Sequence, residues 1–301
     1  MSNLQRFYIR GSQWFFRIAA LPLLASIPKL RLGAGAGAHK IKIPPGIQWS
    51  EIKASGLRCE WIIPQEAPAQ AVILYLHGGG GVLGLYNSIR WMASHLALAC
   101  KLRFLLPDYQ LAPEHPFPAG LDDCVAAYRW LLAEGFEPQR LVIAGDSAGG
   151  YLTISMLLAL RDLGLPLPAA AVCISPSADP TCSGESMRTN AWKDALVSPK
   201  FVRTMTKHYV GNHDLGDPIL SPLKADLHGL PPMLTQAGED EVLLDDARRF
   251  SERAQIAGVN VKLEVWPEMW HDWHTCVPKL PEAKRAMEHI AEFVNRYIAG
   301  N

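Results

Sequence analysis

Three separated stretches of this 301-residue chain carry side chains whose types and order suit nucleophilic attack on an acyl carbon. The first is Val142-Ile143-Ala144-Gly145-Asp146-Ser147-Ala148-Gly149-Gly150. It predicts a buried strand, a tight Gly-x-Ser-x-Gly turn, and a helix over about 148–162. Gly145 and Gly149 lack a Cβ, so strand and helix can approach closely around Ser147 and lift its hydroxyl to the tip of the turn. The helix N-terminus favours negative charge at the same spot. The pentapeptide alone also occurs in unrelated loops. Here the apolar run Leu141–Ala144 before it and Tyr151–Leu160 after it supply the strand–turn–helix setting that the chemistry needs.

A serine hydroxyl is a weak nucleophile at neutral pH. It needs a base, a group to orient that base, and donors for the developing oxyanion. The donors are expected in Tyr75-Leu76-His77-Gly78-Gly79-Gly80-Gly81, where successive glycines let amides turn inward. The amides of Gly78 and Gly79, with that of Ala148, would form a three-donor hole, each donor contributing about 10²–10³ in rate. A phosphate cradle would carry Lys-Ser or Lys-Thr after the glycines, whereas Val82-Leu83 follow. His77 reads as structural. The base is assigned to His271 in Glu268-Met269-Trp270-His271-Asp272-Trp273-His274, with His274 its competitor. The two histidines have no further ligand cluster beside them, so no metal site is expected. For the orienting acid, several carboxylates crowd Glu239-Asp240-Glu241-Val242-Leu243-Leu244-Asp245-Asp246, and one of them must meet His271. Asp146 and Asp108 read as supporting groups around the site.

The elements that must position these groups alternate. Strands are predicted over 59–63, 71–76, 102–106, 141–145, 170–174, 233–237 and 261–266. Helices are predicted over 89–98, 121–133, 148–162, 244–257 and 282–298. This alternation implies an α/β fold with a mostly parallel sheet covered on both faces. The stretch 177–222 breaks the rhythm, with short helices expected near 186–195 and 199–210; it reads as a lid over the carboxyl edge of the sheet. Leu32–His39 reads as a Gly/Ala hinge.

Lys plus Arg and Asp plus Glu each number 29, and no basic stripe is present, which excludes nucleic acid as a partner. The six cysteines form no CxxC pair and read as isolated reduced thiols of a cytoplasmic protein. Arg6, Arg10 and Arg17 precede the apolar run 18–27, which loosely resembles a secretion signal; secretion and membrane association are the alternatives it raises. The run is too short to span a bilayer, so no stable membrane insertion is expected. An amphipathic helix with Phe7, Trp14, Phe15, Ile18 and Leu21 on one face, packed on the body of the protein, is the preferred reading.

Together, His77-Gly78-Gly79-Gly80, Gly145-Asp146-Ser147-Ala148-Gly149-Gly150 and the long segment Asp108-Tyr109-Gln110-Leu111-Ala112-Pro113-Glu114-His115-Pro116-Phe117-Pro118-Ala119 resemble the hormone-sensitive lipase-like, HGGG-motif branch of the α/β-hydrolases. The likeness runs from about Trp61 to Ile298. It implies the α/β-hydrolase fold: a mostly parallel eight-stranded sheet flanked by helices, with a helical cap. The chain order Ser, acid, His agrees with that fold. The implied activity is serine carboxylesterase, acting on short- to medium-chain esters without a cofactor. The partner is a small-molecule ester, and a homodimer is the family-level expectation. The family's acid segment reads Asp-Pro-Leu-x-Asp; here Glu241-Val242-Leu243-Leu244-Asp245 puts Glu241 in the acid's place, with Asp240 the alternative. The implied division is 1–45 as N-terminal cap segment, 46–177 and 223–301 as catalytic domain, and 178–222 as cap insertion. A lactone or amide hydrolase would use the same machinery. A non-catalytic ligand receptor on this scaffold would lack a competent histidine, and His271 argues against it.

Overall fold

The computed structural model describes residues 3–35 and 43–298. Its elements in chain order are α1 (Asn3–Ala20), α2 (Ile27–Gly35), β1 (Ile47–Ala54), β2 (Leu57–Pro64), β3 (Val72–Leu76), α3 (Asn87–Cys100), β4 (Arg103–Pro107), α4 (Ala119–Ala133), β5 (Leu141–Asp146), α5 (Ala148–Asp162), β6 (Ala170–Ile174), α6 (Ser186–Thr189), α7 (Pro199–Val210), β7 (Met233–Gly238), α8 (Leu244–Ile256), β8 (Val261–Trp266) and α9 (Pro281–Ile298).

The strands form one eight-stranded sheet in the order β1-β2-β4-β3-β5-β6-β7-β8. β3 to β8 pair in parallel, and β2 pairs antiparallel with both β1 and β4. The parallel strands are short continuous apolar runs because both faces are covered. On β3, Val72, Leu74 and Leu76 enter the core shared with α4, α5 and α8. Ile73 and Tyr75 enter the core shared with α3 and α9. β3 lies between β4 and β5, so the loops after β3 and β5 diverge from one crevice at the carboxyl edge, where an open α/β sheet binds ligands.

β1 was not legible as a strand. It is an edge strand with mixed exposure, joined to β2 through the two-residue turn Ser55-Gly56, both at positive φ. The hinge expectation also needs correction. Leu32–Gly35 completes α2, and 36–39 lie outside the described residues. The helix expected over 186–195 is limited to Ser186–Thr189.

The N-terminal helix forms, and the face expected inward divides: Trp14 and Leu21 pack against the body. Phe7, Phe15 and Ile18, expected against the body, are 71%, 70% and 56% exposed. The docking face carries Trp14 together with the arginines. Arg6 pairs with Glu268 and Glu282. Arg17 is buried and donates to the carbonyls of Asp194 and Ala191. Guanidinium groups satisfy carbonyls and carboxylates that apolar rings would leave unpaired, which decides the orientation. Among the described residues no helix is long and apolar enough to cross a membrane.

Tight backbone contact fixes how α5 meets the sheet. A Cβ on Gly149 would lie 1.9 Å from the Leu76 carbonyl oxygen, and one on Gly145 would lie 2.3 Å from the Gly149 carbonyl oxygen. Neither neighbour is a flexible side-chain end. Gly149→Ala should therefore destabilise by at least ~3 kcal/mol, the upper range of overpacking costs. Gly11→Ala, in open space on α1, should stabilise by up to ~1 kcal/mol. Urea unfolding midpoints of the two variants check both.

Candidate active site

Ser147 stands where β5 passes into α5, with φ 54° and ψ −116°. A non-glycine residue held there costs about 1–3 kcal/mol. The turn is secured by the Ser147 amide, which donates to the Ile174 carbonyl at 2.8 Å. His271 lies on the loop after β8, and its Nε2 is 2.8 Å from Ser147 Oγ. Glu241, on the loop after β7, places Oε2 3.4 Å from His271 Nδ1. Its other oxygen accepts from the Ser175 hydroxyl and the Gly238 amide, both at 2.6 Å. Those two bonds fix the carboxylate's orientation.

The alternatives lie elsewhere. Asp240 forms an ion pair with Arg10 of α1 at 2.7 Å. His274 is 2.8 Å from Gln236 Oε1 through Nε2. Burial, and then the neighbouring His271, lower it to about 3, so it stays neutral. His77 also stays neutral, lowered by burial to about 4. It stacks on Tyr109 at 4.2 Å between ring centroids and donates from Nδ1 to the Gly78 carbonyl at 2.8 Å.

The glycine run turns as expected, with Gly79, Gly80 and Gly81 at φ 111°, 68° and 67°. Gly80, Gly81 and Ala148 line the cavity beside Ser147. Gly78, expected there, lies against Asp146: a Cβ on it would be 2.2 Å from Asp146 Oδ2. Asp146 is fully buried, accepts from the Tyr75 hydroxyl at 2.8 Å, and is raised to about 6, chiefly by burial. Asp108 is held by Arg58 at 2.8 Å. Gly80 and Gly81 press on Met205 and Tyr209 of α7, which close the cavity from above with Leu152, Phe201, Val202 and Leu220.

A family model described as alpha/beta hydrolase fold matches residues 73–275. An acetyl-hydrolase of Streptomyces hygroscopicus is 44% identical over 252 residues, 84% of this chain and 83% of that protein. An esterase of Acinetobacter venetianus is 39% identical over 250 residues, 83% and 82% of the two chains. Among solved structures, an esterase from the bacterial hormone-sensitive lipase family superposes with a TM-score of 0.88 at 43% identity, covering 95% of this chain and 98% of that one. EstE5, soaked with p-nitrophenyl butyrate, gives 0.87 at 44%, covering 91% and 92%. The chain belongs to the hormone-sensitive lipase-like esterases of the α/β-hydrolase family.

In this esterase the 178–222 insertion also grips the loop that bears Glu241. Asn190 Nδ2 donates to the carbonyls of Glu239 and Glu241 at 3.0 and 2.9 Å. Asp194 accepts from the Val242 amide at 3.0 Å. The Ser186 hydroxyl donates to the Val242 carbonyl and accepts from the Asp245 amide. Asp246 accepts from the amides of Ala178 and Asp179. Sequence reasoning missed Ser175, Asn190 and Asp194, since no local motif marks them. Ser175 alone had a positional signal, directly after a strand's carboxyl end. Asn190→Ala leaves two loop carbonyls without that donor. It should lower kcat/KM by ~10–10² while the fold persists, because small misplacements at a reacting centre are costly. Steady-state kinetics beside a thermal melt checks this.

Proposed function

We propose that this esterase hydrolyses short- to medium-chain carboxylic esters through an acyl-enzyme, with Ser147 as nucleophile, His271 as base and Glu241 as orienting acid. The 2.8 Å approach of His271 Nε2 to Ser147 Oγ, at the tip of a strained turn, carries this reading. Ser147 Oγ attacks the ester carbonyl as His271 Nε2 takes its proton. Negative charge collects on the former carbonyl oxygen, and amides at the start of α5 and in the glycine run hold it. The set expected for this task is Gly78, Gly79 and Ala148; of the glycine run, Gly80 and Gly81 line the cavity beside Ser147 together with Ala148. The imidazolium then protonates the leaving alcohol. Water, activated by the same ring, hydrolyses the acyl-enzyme and restores Ser147. Glu241 keeps the Nδ1 proton in place and stabilises the charged ring.

The N-terminal segment and the 178–222 insertion serve as the cap. Met205 and Tyr209 limit the room above Ser147, and the lining is largely apolar, which suits a short acyl chain. Relatives named acetyl-hydrolase support the same substrate size.

With p-nitrophenyl esters, kcat/KM should peak at or below about six acyl carbons. Ser147→Ala should abolish turnover. Glu241→Gln should lower kcat by ~10³–10⁴, the loss expected when the histidine tautomer is no longer enforced. Asp240→Asn should cost less than about tenfold, because that carboxylate serves Arg10. The reverse ranking of the two acids would displace Glu241 from the mechanism.

A further inference from the structure

Four buried carboxyls act on the imidazole of His271, three more than a triad uses. Glu241 faces Nδ1. Asp272 places Oδ2 3.3 Å from Nε2, the same nitrogen that Ser147 reaches at 2.8 Å. Asp194 comes from the insertion and Asp146 from the end of β5. Buried this closely around one ring, the four cannot all ionise.

Asp272 is the worst placed to ionise. Burial comes first among the causes, and Asp146, Glu241 and Asp194 add to it, so its carboxyl stands well above the usual range although His271 opposes the shift. Tyr75 on β3 and Tyr86 ahead of α3 also face it, and both are kept neutral by burial. Asp272 Oδ1 and Asp146 Oδ2 are each buried without a hydrogen-bond partner. The backbone at Asp272 is left-handed, and its amide donates to Ser175 Oγ at 3.2 Å, so the loop holds this carboxyl beside the ring.

We propose, resting on the reading that His271 is the base for Ser147, that Asp272 is a positioning residue which shares the Nε2 edge of the imidazole with the serine and decides whether that nitrogen is open. As a neutral acid, Asp272 leaves the Nε2 lone pair to the serine hydroxyl. If its proton moves from Oδ2 to Nε2, a carboxylate–imidazolium pair forms, the lone pair is used, and Ser147 has no base. The proton count is the same in both forms; only the location differs. Asp146 favours the working form, because a second anion beside Asp272 is repelled. After acylation, a neutral Asp272 does not compete with the leaving alcohol for the imidazolium proton.

The sign of the pH effect follows. Burial alone would lower His271, but Asp272, then Glu241 and Asp194, outweigh it and raise the ring to about 10. That rise belongs to the carboxylate–imidazolium form, in which the ring is closed to Ser147; removing Asp272 abolishes that form, so His271 becomes a base at lower pH. The acidic limb of kcat/KM against pH, read with p-nitrophenyl butyrate, reports this. Asn and Gly both tolerate the left-handed backbone at this position, so Asp272→Asn and Asp272→Gly remove the ionisable group without forcing the loop. In both variants the limb should move down by about one pH unit or more. A purely structural role lowers the plateau and leaves the limb in place. A shift below about half a unit in either variant overturns the proposal. Ser147→Ala in the same assay keeps the failures apart. Turnover surviving in that variant refutes the serine mechanism itself, whereas a dead Ser147→Ala with an unmoved limb in the Asp272 variants refutes only the role of Asp272.

Discussion

The site rests on one backbone constraint: α5 must start almost in contact with the end of β3. With Gly149 against the Leu76 carbonyl and Gly145 against Gly149, β5 can end and a helix begin within one residue. That residue is Ser147, and its strained torsions follow from the closeness of its neighbours. A turn so constrained cannot move to meet its partners. The loops after β3, β7 and β8 must bring them to it, which explains why the supporting bonds concentrate on those loops. Ser175 ties the Glu241 carboxylate to the amide of Asp272. Asn190, Asp194 and Ser186 grip the Glu241 loop from the insertion. Arg10 bridges α1 to both the Asp240 loop and the carbonyl of Glu268.

What the sequence made legible was whatever is written locally. The Gly-x-Ser-x-Gly turn, the glycine run and the apolar parallel strands each state their structure within a few residues. β1 was illegible because an edge strand needs apolar contact on only part of its surface. The N-terminal helix was legible as a helix, and its orientation was not. Of the expected packing residues Trp14 and Leu21 face the body and Phe7, Phe15 and Ile18 do not, because the carbonyls of Ala191 and Asp194 take the Arg17 guanidinium beside Trp14. Of the two acids weighed, Glu241 stands beside His271 and Asp240 meets Arg10. Arg10 lies 230 residues from Asp240 in the chain, a pairing that no local pattern encodes. Asp146, beneath the turn, packs directly against Gly78. No spacing rule encodes that contact.

Electrostatics and packing act on the same groups here. An isolated buried carboxylate is costly, and the interior beside Ser147 holds several. Glu241 is supplied with a hydroxyl and an amide on the oxygen that does not face the ring. Asp246 takes two amides of the insertion and is still raised to about 7, with burial the main cause. Carboxyls of the second kind are stable while protonated. Asp246 therefore contributes stability below the unfolded aspartate value, and that contribution is lost as pH rises through about 7. Ionisation strengthens the two amide bonds to the insertion but incurs the full cost of burying a charge, so the net contribution falls toward alkaline pH. The stability of this region and the basicity of His271 both depend on buried carboxyls on and beside the loops after β7 and β8.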